Sequence, residues 1–458
     1  VKVRCRSGFD TEISTIRHRF VAGVVLTGRM SVRRHPGGAE AEPARPAGLR
    51  IAVVTETYPP EINGVAGTVA RLVEGFLGEG HRVELIRPLQ PGVDTGVGSR
   101  GSARRAPSSP GRDTSGAIPD LSERLTRGMS IPGYAGLRMG LPAPRMLRRA
   151  WRSRRPDLVH IATEGPLGWS ALRVARGLGI PVVSEFRTNF HAYSGHYGVG
   201  LLRPWVLDYL RWFHNRCALT MVPTRRLAGE LEASGFERLQ VVGRGVDAHR
   251  FNPRHRSVAL RASWGAGPDE LVAISVGRLA PEKNLELLVQ TDRLMRSTRP
   301  GMRLVVVGDG PARSWLEGRI PGAIFVGRRM GDDLATHYAS ADLLLFPSLT
   351  ETFGNVTLEA MASGLPVIAF DYGAAGSHVT HGVHGWLAPF GEAEVFAGLG
   401  LLAAGDPDSV RRFGAVARRQ AESMSWQHIV RQVLEIHREA IGPTGCIPSA
   451  GTTRWDRS

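Results

Sequence analysis

The sequence predicts an α/β protein built from two doubly wound, Rossmann-like domains. Short apolar runs alternate with helix-patterned stretches in both halves, which is the order a parallel sheet with crossover helices requires. Several of those runs end in glycine-rich turns, where backbone can approach a ligand closely. At 458 residues and 42% apolar content, the chain is long enough for two cores of ordinary size.

The elements follow in order. Val1 to Gly48 closes on HPGGAEAEPARPAG and reads as a disordered leader; as the chain opens with Val1 and carries Met30 within that stretch, residues 1–29 are expected to be a start-site artefact. The first domain is expected over 49–224. Arg50 to Thr55 (RIAVVT) is its first strand, and the turn ETYPPEINGVAGT leads into a helix over Val69 to Leu77. Gly64 and Gly67 in that turn leave room for a phosphate oxygen at a helix N-terminus. Residues 92–115, rich in Gly, Ser, Pro and Arg, read as a flexible insertion. Further strands are predicted at Asp157 to Ile161 and Pro181 to Glu185, with a helix over Gly165 to Leu178 between them. Ser184 to Tyr197 (SEFRTNFHAYSGHY) follows a strand and is rich in side chains that hydrogen-bond sugars and phosphates, so acceptor chemistry is expected there. Leu201 to Arg216 reads either as apolar acceptor-side lining or as core.

The second domain is expected over 225–421. In Ala273 to Glu286 (AISVGRLAPEKNLE) a strand runs into Gly277, Arg278 and Lys283. Only two of the 58 basic residues are lysines, Lys2 and Lys283, so an ammonium here suggests a pocket suited to a compact, flexible cation beside the guanidinium fork of Arg278. Arg303 to Gly310 (RLVVVGDG) is a buried parallel-type strand with a glycine turn. Leu343 to Phe346 is a strand and Val356 to Ser363 the helix after it, with Glu351 in the loop and Glu359 one turn into the helix. The backbone N–H groups of Gly354, Asn355, Val356 and Thr357 form an anion site there. Glu359 then suits vicinal ribose hydroxyls and Glu351 a second polyol, the outline of a nucleotide sugar; the plainer reading of the pair alone is a capped helix with one solvated carboxylate. Asp332 and Asp333 look like a helix cap, so no metal and no further cofactor is expected.

The ordered series GR followed by EKN, VVVGDGP, FVGR, ADLLLFPS and ETFGNVTLEAMASGLPVIA resembles glycosyltransferase family 4 over about Leu49 to Ala440. The resemblance implies the GT-B fold, with the site in the cleft between the domains and a helix over Trp426 to Ala440, within 422–441, crossing back to the first domain; 442–458 is a tail. It implies retention at the anomeric carbon without a covalent intermediate, Arg278 and Lys283 on the departing diphosphate, and Gly64, Phe353 and Gly354 to Thr357 around the donor. Glu351 would hold the donor hexose and Glu359 the ribose. Phosphatidylinositol mannosyltransferase-like relatives often carry His where this chain has Arg187, and arginine cannot act as a base; His191, four residues on, is the other candidate for acceptor or donor-sugar contact. The loop from His191 to Gly198 and the segment VVGRGVDAHRFNP resemble bacterial GDP-mannose-dependent α-mannosyltransferases, which makes GDP-mannose the favoured donor. UDP-sugars stay open as donors, with base contacts expected near Arg328 to Gly331, and so does a GT-B binder or epimerase without transfer.

Net charge is +16, yet the basic residues are dispersed and no helix-turn-helix, zinc or RNP-like pattern occurs, so nucleic acid is not an expected partner. Pro142 to Pro156 (PAPRMLRRAWRSRRP) reads as a basic amphipathic helix, with Met146, Leu147, Ala150 and Trp151 opposite six arginines; it suits an anionic membrane surface or an ordinary solvated helix. A lipid or lipid-linked glycan acceptor follows from the former. Three cysteines without disulfide or metal spacing, and no apolar run near the roughly 18 residues that span a bilayer, point to the cytoplasm or the inner membrane face.

Overall fold

The computed structural model describes residues 48–61, 63–90, 121–130, 138–187 and 203–442, together with the backbone at 104–105. The leader up to residue 47, nearly all of the insertion expected at 92–115, His191 and the tail from residue 443 lie outside these residues.

The first sheet comprises β1 (Arg50–Val54), β2 (Arg82–Pro88), β3 (Arg104–Arg105), β4 (Leu121–Thr126), β7 (Leu158–Ile161), β8 (Val182–Glu185), β9 (Leu219–Val222) and β10 (Leu239–Val241). Their order is β10-β9-β8-β7-β1-β2-β4-β3, and seven run parallel, with β3 antiparallel on the β4 edge. A separate hairpin pairs β5 (Gly128–Ser130) with β6 (Arg138–Gly140). Helices α1 (Gly64–Gly78), α2 (Pro144–Ser153), α3 (Pro166–Gly177), α4 (Arg203–His214) and α5 (Arg225–Ala233) join these strands.

The second sheet has six parallel strands: β11 (Val272–Val276), β12 (Arg303–Val307), β13 (Ile324–Gly327), β14 (Leu343–Phe346), β15 (Val367–Phe370) and β16 (Gly385–Ala388). Their order is β13-β12-β11-β14-β15-β16. The helices here are α6 (Val258–Ser263), α7 (Leu285–Thr298), α8 (Arg313–Arg319), α9 (Gly331–Ser340), α10 (Asn355–Ala362), α11 (Gly373–His378), α12 (Ala393–Gly405), α13 (Pro407–Glu422) and α14 (Trp426–Ile441).

Strands covered on both faces should be apolar throughout rather than alternating, and β7, β9, β14 and β15 are buried at every position. One face of the first sheet packs against α1 and α14, where Val69, Leu72 and Phe76 meet Val430, Val433 and Leu434. Close contact depends on Gly75, since a Cβ there would lie 2.2 Å from Val430 Cγ2. The C-terminal helix thus belongs to the core of the first sheet. In the second sheet, Ala273, Leu304 and Leu343 face Leu288, Met295 and Phe396, while Ile274, Val305 and Leu344 face Tyr338 and Met361. Gly308 joins strand end to strand end at φ +139, where a Cβ would lie 1.8 Å from Gly277 O.

Two expectations need correction. The first sheet does not stop at Thr224: α5 is a right-length crossover to β10, so its last strand ends at Val241 and the second sheet opens only at Val272. The apolar stripe of α2 is not offered to a membrane. Leu147, Ala150 and Trp151 are buried against β1, β7 and α3, Met146 packs beside them, and Trp151 Nε1 donates to Glu84 at 3.2 Å. Arg145, Arg148, Arg149 and Arg152 of α2 are exposed. A core-facing and a membrane-facing amphipathic helix carry the same pattern, so periodicity alone does not separate them. Among the described residues no helix is long and apolar enough to cross a membrane.

Candidate functional site

The C-terminal ends of both sheets open onto one cleft of about 920 Å³. Its first wall grows from the turn after β1. Asn63 caps α1, its Oδ1 accepting from Ala66 N at 2.8 Å, while its Nδ2 donates to Thr57 Oγ1 at 2.7 Å. Opposite stands the start of α10, entered through Gly354 at φ +94 with no side-chain cap. A Cβ on Gly64 would sit 3.8 Å from Asn355 Nδ2, so the two helix N-termini face each other across a gap. Uncapped N–H groups and two dipole ends aimed at one space favour an anion there.

The second wall carries the cations. Arg278 and Lys283 follow β11, and Arg278 lies about half exposed with Glu282 Oε1 at 3.9 Å. Lys283 Nζ makes a close ion pair with Glu351 Oε1, which also accepts from Ser348 Oγ at 2.8 Å. Both bonds fall on one oxygen, so Oε2 keeps its acceptor capacity. Thr350 Oγ1 donates to Glu282 O at 3.0 Å and Asn284 Nδ2 to Pro347 O at 3.3 Å, stitching the Lys283 turn to the Glu351 loop.

Gly64, Arg187, Arg278, Lys283, Glu351 and Phe353 line the cleft, as do Gly354, Asn355 and Val356. Thr357 and Glu359 stand behind this surface in α10; Thr357 is fully buried, and Glu359 accepts from Tyr338 Oη at 3.0 Å. Burial pushes the Glu359 carboxyl up to about 7, against the lowering effect of the Tyr338 hydroxyl.

Several lining residues were not anticipated from sequence. Glu56 Oε1 accepts from Leu167 N at 2.9 Å and Oε2 from Gly140 N at 3.2 Å, tying the β1 turn to α3 and β6. Glu164 lines the same wall, and Tyr209 Oη donates to its carbonyl at 2.6 Å. Burial raises both carboxyls to about 7. Glu56 could have been found as the first charged residue after a strand end; Glu164 sits in a short loop with no local signature. Helix α4 resolves its two readings by splitting them: Val206, Tyr209 and Leu210 line the cleft, while Trp212 and Phe213 are core. Arg244, noticed only as part of a motif, is buried with its guanidinium 5.6 Å from the Phe353 ring centroid. No three His, Cys, Asp or Glu side chains gather as a metal site among the described residues.

Known proteins share this sequence pattern and fold. Residues 62–250 match the model of Glycosyltransferase Family 4, and residues 270–399 match that of Glycosyl transferases group 1. A GDP-mannose-dependent alpha-mannosyltransferase of Mycobacterium tuberculosis is 34% identical over 410 residues, covering 86% of this chain and 97% of that protein. One of the same description from Mycolicibacterium smegmatis is 33% identical over 395 residues, covering 86% and 98%. Among solved structures, sucrose-phosphate synthase from Thermosynechococcus elongatus superposes with a TM-score of 0.66 at 19% identity over 85% of this chain and 98% of that one. Anabaena HepE in complex with UDP-glucose gives 0.64 at 18% identity over 85% and 100%.

Proposed function

The chain belongs to glycosyltransferase family 4 and has the GT-B fold, and on that premise we propose that it transfers mannose from GDP-mannose, with retention, to a hydroxyl of a lipid or glycan acceptor. The observation that carries this reading is the meeting of Arg278, Lys283 and the uncapped start of α10 on one wall of the cleft, in a chain aligned along nearly the whole length of GDP-mannose-dependent relatives.

In this reading the diphosphate lies between the two cations and the N–H groups of Gly354 to Val356, the N–H of Thr357 being taken by Gly354 O at 3.1 Å. As the bond to the anomeric carbon lengthens, negative charge builds on the leaving oxygen, and fixed cations stabilise it more than they stabilise the ground state. The same oxygen takes the proton of the incoming hydroxyl, so attack and departure share one face and configuration is retained. Glu351, held at Oε1 by Lys283 and Ser348, offers Oε2 to hexose hydroxyls. Glu359 holds the ribose. Arg187 and His191 belong to the acceptor side or the donor sugar. The outward arginines of α2 draw the protein to an anionic inner membrane face by charge alone.

The test is calorimetry of the purified chain with GDP, UDP and ADP, followed by transfer assays with GDP-mannose and UDP-glucose. Selective GDP binding and release of GDP only with acceptor present are expected. Selective UDP binding would move the donor to a UDP-sugar, and binding without any transfer would leave a nucleotide-sugar binder.

A further inference from the structure

Two guanidinium groups are buried at the floor of the cleft on its first-domain side. Arg187 is 7% exposed and Arg244 8%, and both line the cleft. They lie within Coulomb reach of each other and of a single carboxylate, Glu185. Arg187 pairs closely with Glu185, while its Nε and Nη1, and Nε of Arg244, find no hydrogen-bond partner among the described residues. Arg244 donates from Nη1 to Thr68 Oγ1 and stacks over Phe353, at the mouth of α10. The backbone of Arg187 is pinned from the second domain by Thr352 Oγ1, which donates to its carbonyl at 3.2 Å.

Behind them runs a buried relay. Glu185 Oε1 meets His160 Nε2 at 2.7 Å, and His160 Nδ1 meets Nε2 of His437, on α14, at 2.9 Å. Burial opposes ionisation of Glu185, yet Arg187, His160 and Arg244 hold its carboxyl well below the ordinary carboxylate range. Burial holds His437 neutral, and His160 bridges its ring to the Glu185 carboxylate. Glu185 is thereby fixed and committed to Arg187.

The charges do not close. Two arginines face one committed carboxylate, and burial, with the Arg187 charge next, depresses the pKa of Arg244 to about 9. Glu164 also faces Arg187, but burial raises its carboxyl to about 7, so it compensates only in part near neutral pH. Buried donors left unpaired cost free energy unless a ligand meets them, and a forked guanidinium pair suits the oxygens of a phosphate.

We propose that Arg187 and Arg244 form a second phosphate-binding subsite, on the first-domain side of the cleft and distinct from Arg278 and Lys283. Its assignment to a transfer reaction rests on the reading above; the subsite itself does not. The phosphate has two sources: the donor diphosphate, shared with the second-domain cations, or a phosphate carried by the acceptor.

The experiment is calorimetry on the full chain and on Arg187→Gln, Arg244→Gln and Arg244→Lys, with GDP as probe and then with inorganic phosphate added to GDP-saturated protein. Thermal unfolding checks that each variant is folded. If the donor supplies the phosphate, the GDP Kd rises about tenfold or more in both Gln variants and phosphate does not bind the loaded wild type. If the acceptor supplies it, GDP affinity holds, while phosphate binds the loaded wild type and is lost in both Gln variants. Arg244→Lys, keeping charge without the fork, falls between in either case. Folded Gln variants that bind GDP and phosphate as the wild type does overturn the subsite, even if the wild type transfers hexose. A wild type that transfers nothing, but whose phosphate binding still needs both arginines, fails the transferase reading and leaves the subsite standing.

Discussion

Replacing Glu359 by Gln should make the protein more stable and less able to bind its donor. The carboxyl is pushed by burial from 4.5 to about 7, and at 1.36 kcal/mol per unit the shift sets an upper bound of about 3 kcal/mol. Between pH 4.5 and about 7 the unfolded chain has already released a proton that the folded protein still holds. Stability therefore falls as pH rises through that window and levels off above it. Gln has no proton to release and still accepts from Tyr338 Oη, so the variant should match the wild type near pH 4.5 and exceed it by up to about 3 kcal/mol at pH 8. Glu56 and Glu164 give the wild type the same sign of slope, so the quantity to read is the difference between variant and wild type at each pH, by denaturant or thermal unfolding. GDP binding should weaken about tenfold, because a charge-assisted contact to ribose becomes a neutral one. A variant whose advantage does not grow with pH would refute the buried-carboxylate argument; unchanged GDP affinity would refute the ribose assignment.

Lys283→Ala should weaken GDP by at least about tenfold, one charge-assisted contact, with little change in melting temperature because its ion pair with Glu351 is partly exposed. Gly308→Ala should lose at least about 3 kcal/mol in chemical denaturation, since φ is +139 and the new methyl would meet Gly277 O. Trp151→Ala should cost about 3 to 5 kcal/mol as a core truncation without altering vesicle binding. The triple change Arg148→Gln, Arg149→Gln and Arg152→Gln should leave stability intact and abolish sedimentation with anionic vesicles at low salt; residual sedimentation of that variant at high salt would mean that some apolar element inserts.

The wall that carries Arg278, Lys283 and Glu351 could be assembled from sequence because each of its parts is a contiguous strand end and helix start: Gly277 to Lys283, and Glu351 to Val356. Local geometry follows from local sequence there, and glycine at φ +94 before α10 leaves a visible mark. The opposite wall draws Glu56, Arg138, Glu164, Tyr209 and Arg244 from five separate segments, and no spacing rule gathers residues that only the sheet order brings together. Domain limits failed for a related reason, because β10 is three residues of half-buried or exposed character with little strand signal of its own.

Lys283 and Glu351 show what pairing adds to a list of candidate residues. Read separately, one belongs to phosphate and the other to sugar; in the structure they hold each other, 68 residues apart in sequence. A lysine on a four-carbon stem loses much of its freedom on binding an anion, and a partner already in place removes part of that loss before the donor arrives. In the proposed reaction the pair couples the two ligand halves: a phosphate that draws Lys283 away relaxes its hold on Glu351, and a sugar that orders Glu351 steadies Lys283. The two single variants should therefore not be additive in donor affinity. A double-mutant cycle of Lys283→Ala with Glu351→Gln, read in GDP-mannose Kd against GDP Kd, should show coupling of about 0.5 to 3 kcal/mol for the nucleotide sugar and much less for GDP, which lacks the hexose; equal coupling for both ligands would leave the ion pair as a structural clamp with no part in joining sugar to phosphate.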